Sequence, residues 1–172
     1  MKPVPTGDIQ KLLSGQIAHD ARFHRDIQGL TLGPRLQHLT LHFAKYVGRL
    51  AESSDGAVQT TARRTLIDCL IIGFSACNAL GIDASELLAT ARPTHHESLT
   101  ASQLAILLAG PVGRLAKACE ALDHLEDLAY ASHMRRAIVD IVALLLPLWS
   151  AHGSLAKEVR DRWEAIESGQ IA

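Results

Sequence analysis

Leu36, Leu39, Phe43, Val47 and Leu50 fall on one face of the chain only if the backbone there is helical, because they recur at three- and four-residue steps. Alanine- and leucine-rich segments with the same spacing run through the whole sequence. No alternating β-branched runs lie between hairpin turns, so the chain is expected to fold as an all-α helical bundle. Its 172 residues suit one domain, 1–172, with enough chain to enclose a core. The longest apolar stretch, Ile141 to Trp149, is interrupted by Pro147 and falls well short of the roughly 20 residues of a membrane-spanning helix. Met1 to Pro5 lacks the apolar core of a secretory signal, so the expected location is the cytoplasm. Cys69, Cys77 and Cys119 show no C-x-x-C spacing and read as buried reduced thiols. A formal net charge of −1 gives no general attraction to nucleic acid or anionic lipid.

Helix boundaries follow from capping chemistry. After a short opening helix, Gly33-Pro34 starts a helix that should end near Ser53, and Ser54-Asp55-Gly56 forms a turn. The next helix runs from about Ala57 to Leu80, where Gly81 supplies a left-handed closing residue. Asp83 to Glu86 and Thr100 to Gln103 both have capping-box spacing, and the segment between them, with Pro93, reads as a connection. Gly110-Pro111 predicts a bend inside the following helix. A long helix from about Leu125 to His152 follows, ended by Gly153, and Ser154 caps an amphipathic final helix through about Glu167.

Two blocks repeat. Phe43 to Ala51 aligns with Leu108 to Ala116 at an offset of 65, with six of nine positions identical. Arg63 to Asp68 matches Arg135 to Asp140 at an offset of 72, carrying without a gap to Gly81 and Gly153. The two offsets differ by 7 residues, about two helical turns, so the longer second unit keeps its apolar face in register. The chain therefore divides into two related helical hairpins in tandem, 34–91 and 100–168.

The helix bearing Val47-Gly-Arg-Leu-Ala51, the turn, and the helix from Arg63 to Asp83, closing on Asn78-Ala-Leu-Gly-Ile-Asp83, resemble the MazG-like nucleoside triphosphate pyrophosphohydrolases. The resemblance implies paired helical hairpins whose E-E-x-x-E and E-x-x-D acids hold magnesium against a triphosphate. Here Lys45, Tyr46 and Arg49 stand at the first motif, and Thr65 and Asp68 at the second. The second unit has Gly110, Pro111 and Arg114, then Ala137 and Asp140. One acid per unit survives, and a single carboxylate holds magnesium poorly. The family geometry implies that Arg49 faces Asp68 and Arg114 faces Asp140, so that two Arg-Asp pairs replace two metal sites.

A second reading of the basic residues also stands: Lys45, Arg49, Arg63, Arg64 and Arg114 as ligands for a phosphate-bearing, nucleotide-like anion, with no cofactor. His38 and His42, at i and i+4, share a helical face and are candidate metal ligands, but His19, His24, His95 and His96 have no spacing that places them nearby. Asp123, Glu126 and Asp127 read as a solvated acidic patch. Three functions remain open: a non-hydrolysing MazG-like protein that binds a nucleotide-like anion or a protein partner; a magnesium- or manganese-dependent hydrolase using Asp68, Asp140 and acids such as Glu97 or Glu120; or a structural or regulatory subunit. Self-association is expected, since the strongly apolar helix from Leu66 to Ile82 would otherwise expose one side to water.

Overall fold

The computed structural model describes residues 4–53, 58–91, 99–149 and 155–169, and all regular structure among them is helical. In order these helices are α1 (Thr6–Phe23), α2 (Arg25–Gln28), α3 (Leu32–Glu52), α4 (Val58–Leu80), α5 (Ala84–Thr90), α6 (Ala101–Asp123), α7 (Tyr130–Leu145) with a 3-10 extension (Leu146–Trp149), and α8 (Leu155–Glu167). α3 packs on α4 and α6, and α7 packs on the same two, so these four helices close into a ring. α1 lies against α4 and α5, and α8 against α1 and α4. None of the described helices is long and apolar enough to cross a membrane.

Periodicity explains this arrangement. α3 buries Leu36, Leu39, Phe43, Tyr46 and Leu50, alternating three- and four-residue steps, while its outer side carries polar residues together with the exposed Leu32 and Leu41. α4 differs: Thr65 to Ile71 and Gly73 to Cys77 are buried without a break, because α1, α3, α7 and α8 cover it on all sides. This overturns the ground given for self-association, since the single chain already covers the apolar face of α4. Cys69, Cys77 and Cys119 are free thiols in this core. Burial, reinforced by the neighbouring Asp68 carboxylate, pushes the Cys69 thiol up to about 12, so it stays protonated and inert.

Several boundaries follow the capping chemistry. Gly81 closes α4 at φ +65, Thr100 and Gln103 form a reciprocal capping box, and Asp83 accepts the Glu86 amide. Others differ. The opening helix is long, 18 residues. Pro111, by contrast, lies inside α6 as the sequence places it. α7 begins at Tyr130 and not Leu125, because the chain turns through Leu125 at φ +52, and its α-helical part ends at Leu145 as Pro147 enters. Ser54-Asp55-Gly56, the connection with Pro93, His95, His96 and Glu97, and Gly153-Ser154 lie outside the described residues.

Candidate functional site

The two surviving acids are both engaged by guanidinium groups. Asp68 is buried on α4 and accepts from Arg162 Nε at 2.5 Å and Nη2 at 3.1 Å, a two-pronged bridge from α8. Arg49, expected to face Asp68, does not: it lies exposed on α3 with its guanidinium 6.0 Å from the Tyr46 ring centroid, and Arg162 of α8 binds the carboxylate instead. Asp140 does accept from Arg114, at 2.9 Å. It is only half-buried, so this second pair faces solvent and its geometry is weakly constrained.

The remaining candidate ligands separate. Arg63 is committed to Glu158 of α8 through Nε at 2.9 Å and Nη2 at 2.7 Å, and stacks over the Trp149 ring at 4.6 Å. The Arg63 guanidinium holds the Glu158 carboxyl below the usual range, against the opposing effect of burial. Arg64 is half-buried beside it in sequence. Arg135 joins α7 to Glu86 of α5 and to the Leu80 carbonyl at 2.8 Å. Glu120, named among the hydrolase acids, is exposed and paired with Lys117 at 3.0 Å. Asp123 ends α6 and Glu126 lies in the exposed turn that follows, where Lys117 Nζ donates to Glu126 at 2.9 Å.

Lys45 and Arg49 are different. Among the described residues neither has a carboxylate within salt-bridge distance. Arg35, His38, His42, Lys45 and Arg49 each precede a core residue of α3 by one position, so they form a continuous stripe along the border of its buried face. Partial burial and the neighbouring Arg49 charge hold the Lys45 ammonium below its usual range. Its Nζ sits 3.4 Å from His42 Nδ1 and 4.4 Å from the Tyr46 ring centroid. Burial, with Lys45 and His38 as like charges, brings the His42 imidazole down to about 4, so it is neutral at pH 7. His38 and His42 share a face as their spacing predicts, with ring centroids 4.7 Å apart.

The upper end of this stripe opens on a cavity of about 50 Å³ lined by Asp20, His24, Arg35, His38, His42 and Ser75, where α1, α2, α3 and α4 meet. Asp20 is buried on α1. Its Oδ1 accepts from Gln16 at 2.7 Å and its Oδ2 from Ser75 of α4 at 2.7 Å, while Gln16 itself accepts from Trp163 of α8 at 2.8 Å. Burial alone would raise the carboxyl; these bonds and nearby imidazoles hold it below its usual range. His19 Nδ1, at 4.0 Å from Asp20 Oδ1, is beyond hydrogen-bond reach, so its influence is electrostatic. Both His19 nitrogens and Arg35 Nε are buried without a hydrogen-bond partner. Donor atoms of His19, Asp20 and His24 lie within 4.8 Å of one another.

Spacing alone hid this cluster. Residues i and i+5 diverge on a helix, and His24 joins the group because the backbone leaves α1 there, at φ −130 and ψ 44. Comparison with protein-family profiles, with curated proteins and with solved structures returns no match for this chain.

Proposed function

We propose that the chain is a MazG-like helical bundle that binds a phosphate-bearing, nucleotide-like anion along α3 without hydrolysing it. The observation that carries this reading is the contrast in partners: the guanidiniums of Arg63, Arg114 and Arg162 are bound to carboxylates, whereas Lys45 and Arg49 have none among the described residues. A phosphate oxygen would give these two cations charge-assisted hydrogen bonds. Asp68 and Asp140, each bound to an arginine, are poor candidates to hold magnesium, which supports a binding rather than a hydrolytic role. The packing of α3 on α4 and of α6 on α7 is compatible with a tandem origin.

The test is calorimetric titration of the full chain with nucleoside triphosphates and with inorganic pyrophosphate, at low and raised salt, beside the Lys45→Glu, Arg49→Glu double variant. Hydrogen bonds to charged groups contribute about 1.5–3 kcal/mol each, so losing both should cost the double variant at least about 100-fold in affinity. Absence of binding at millimolar anion and low salt would overturn the reading and turn attention to the structural-subunit alternative, which requires a stable complex with another chain.

A further inference from the structure

We propose that His19, Asp20 and His24 form a binding site for a divalent first-row transition-metal ion, open on the cavity between α1 and α4. The inference goes beyond anion binding on α3 and does not depend on it. Two imidazoles and one carboxylate are a ligand set suited to zinc, iron, cobalt or nickel, and three protein ligands leave positions free for water or an anion. The donors lie within 4.8 Å of one another. Bonds to zinc of about 2.0–2.2 Å bring ligand atoms to roughly 3–3.5 Å apart, so only modest side-chain rotation is required.

His19 gives the second, independent observation. Its side chain is 3 % exposed, and neither ring nitrogen has a hydrogen-bond partner. Burying such a group without a partner is unfavourable, and a metal ion would occupy one of these nitrogens. The ring is fixed rather than loose: it packs against Phe23 at 5.0 Å, His24 at 5.5 Å and Trp163 at 5.8 Å between centroids. The carboxylate is also pre-positioned. Gln16 and Ser75 each donate to one oxygen, and each oxygen keeps a lone pair, so both can serve as outer-shell partners while Asp20 binds the ion. Across the cavity, Arg35 Nε is buried without a partner and can donate to an anionic ligand of the ion. Asp68 and Asp140 are not part of this ligand set, and each is bound by an arginine.

The test uses the metal alone. Chelator-treated full-length chain is titrated with Co²⁺, read by its visible d–d band, and with Zn²⁺ in competition. The expected result is one ion per chain, displaced by Zn²⁺, with affinity at least about tenfold weaker in His24→Ala and in His19→Phe, which keeps the ring packing. Ser75→Ala, which removes only an outer-shell donor, should weaken binding by about 10- to 100-fold. Far-UV circular dichroism confirms that each variant remains helical, and if His19→Phe does not, His24→Ala and Ser75→Ala decide. Absence of a Co²⁺ band and of Zn²⁺ binding would overturn the proposal. So would full binding in His24→Ala, or loss of binding in a His95→Ala, His96→Ala variant alone.

Discussion

Arg162→Ala should destabilise this protein far more than Arg114→Ala, although each removes one arginine from one aspartate. The Arg162 and Asp68 side chains are 12 % and 8 % exposed, and the pair is two-pronged. Deleting the arginine leaves a carboxylate buried in α4 without its counter-charge, a loss of about 3–5 kcal/mol. The Arg114 and Asp140 side chains are 54 % and 31 % exposed, where water and salt screen the pair and its loss costs about 0–1 kcal/mol. In a chain of this length each 1 kcal/mol moves the melting midpoint by about 2–4 °C. Urea unfolding at pH 7, followed by far-UV circular dichroism, measures both variants on one scale. Asp68→Leu with Arg162→Met should recover most of the loss, since an apolar pair of similar volume replaces a buried ion pair at little cost. If Arg162→Ala lost no more than Arg114→Ala, Asp68 would not depend on Arg162, and the acid would again be available for other chemistry.

Two further outcomes follow from the packing and the histidines. A methyl added at Gly73 would stand 2.7 Å from Val142 Cγ2 at the α4–α7 contact. Gly73→Ala gains up to about 1 kcal/mol of helix propensity but incurs about 1–3 kcal/mol of overpacking; it should lower the urea midpoint, and Val142→Ala should relieve that defect, whereas a raised midpoint in Gly73→Ala alone would contradict the close contact. His42 has its folded pKa lowered from 6.5 to about 4, so the unfolded state takes up its proton first as pH falls. Its contribution to stability is complete above about 6.5 and is lost progressively down to about 4. Urea midpoints measured across that window should fall less steeply in His42→Asn than in the parent chain; equal slopes would place the imidazole in a more water-like setting.

The fold was largely legible because helices announce themselves locally. The three- and four-residue steps of α3, the glycine at 81 and the Thr100–Gln103 cap each depend on residues within one or two turns. α7 was misread at its start because Leu125 and Leu128 have the composition of a helix, while the left-handed Leu125 that interrupts it carries no glycine or asparagine signal. The candidate site was much less legible. Asp68 was singled out as an acid that burial would force into a pair, yet its partner comes from α8, 94 residues away, and nothing near Asp68 encodes where α8 docks. Likewise His19 and His24 gain meaning only from the break in α1 and from Ser75, 55 residues beyond Asp20.

The central claim is that the arginine-bound acids do not hydrolyse a triphosphate that the α3 cations can bind. It is tested most directly by measuring pyrophosphate and phosphate release from a panel of ribo- and deoxyribonucleoside triphosphates, with magnesium or manganese, under conditions where calorimetry shows the anion bound. The predicted result is binding sensitive to Lys45→Glu with Arg49→Glu, and release no faster than in the absence of protein. Metal-dependent release that disappears in a folded Asp68→Asn, Asp140→Asn variant would contradict it and assign those two carboxylates to catalysis.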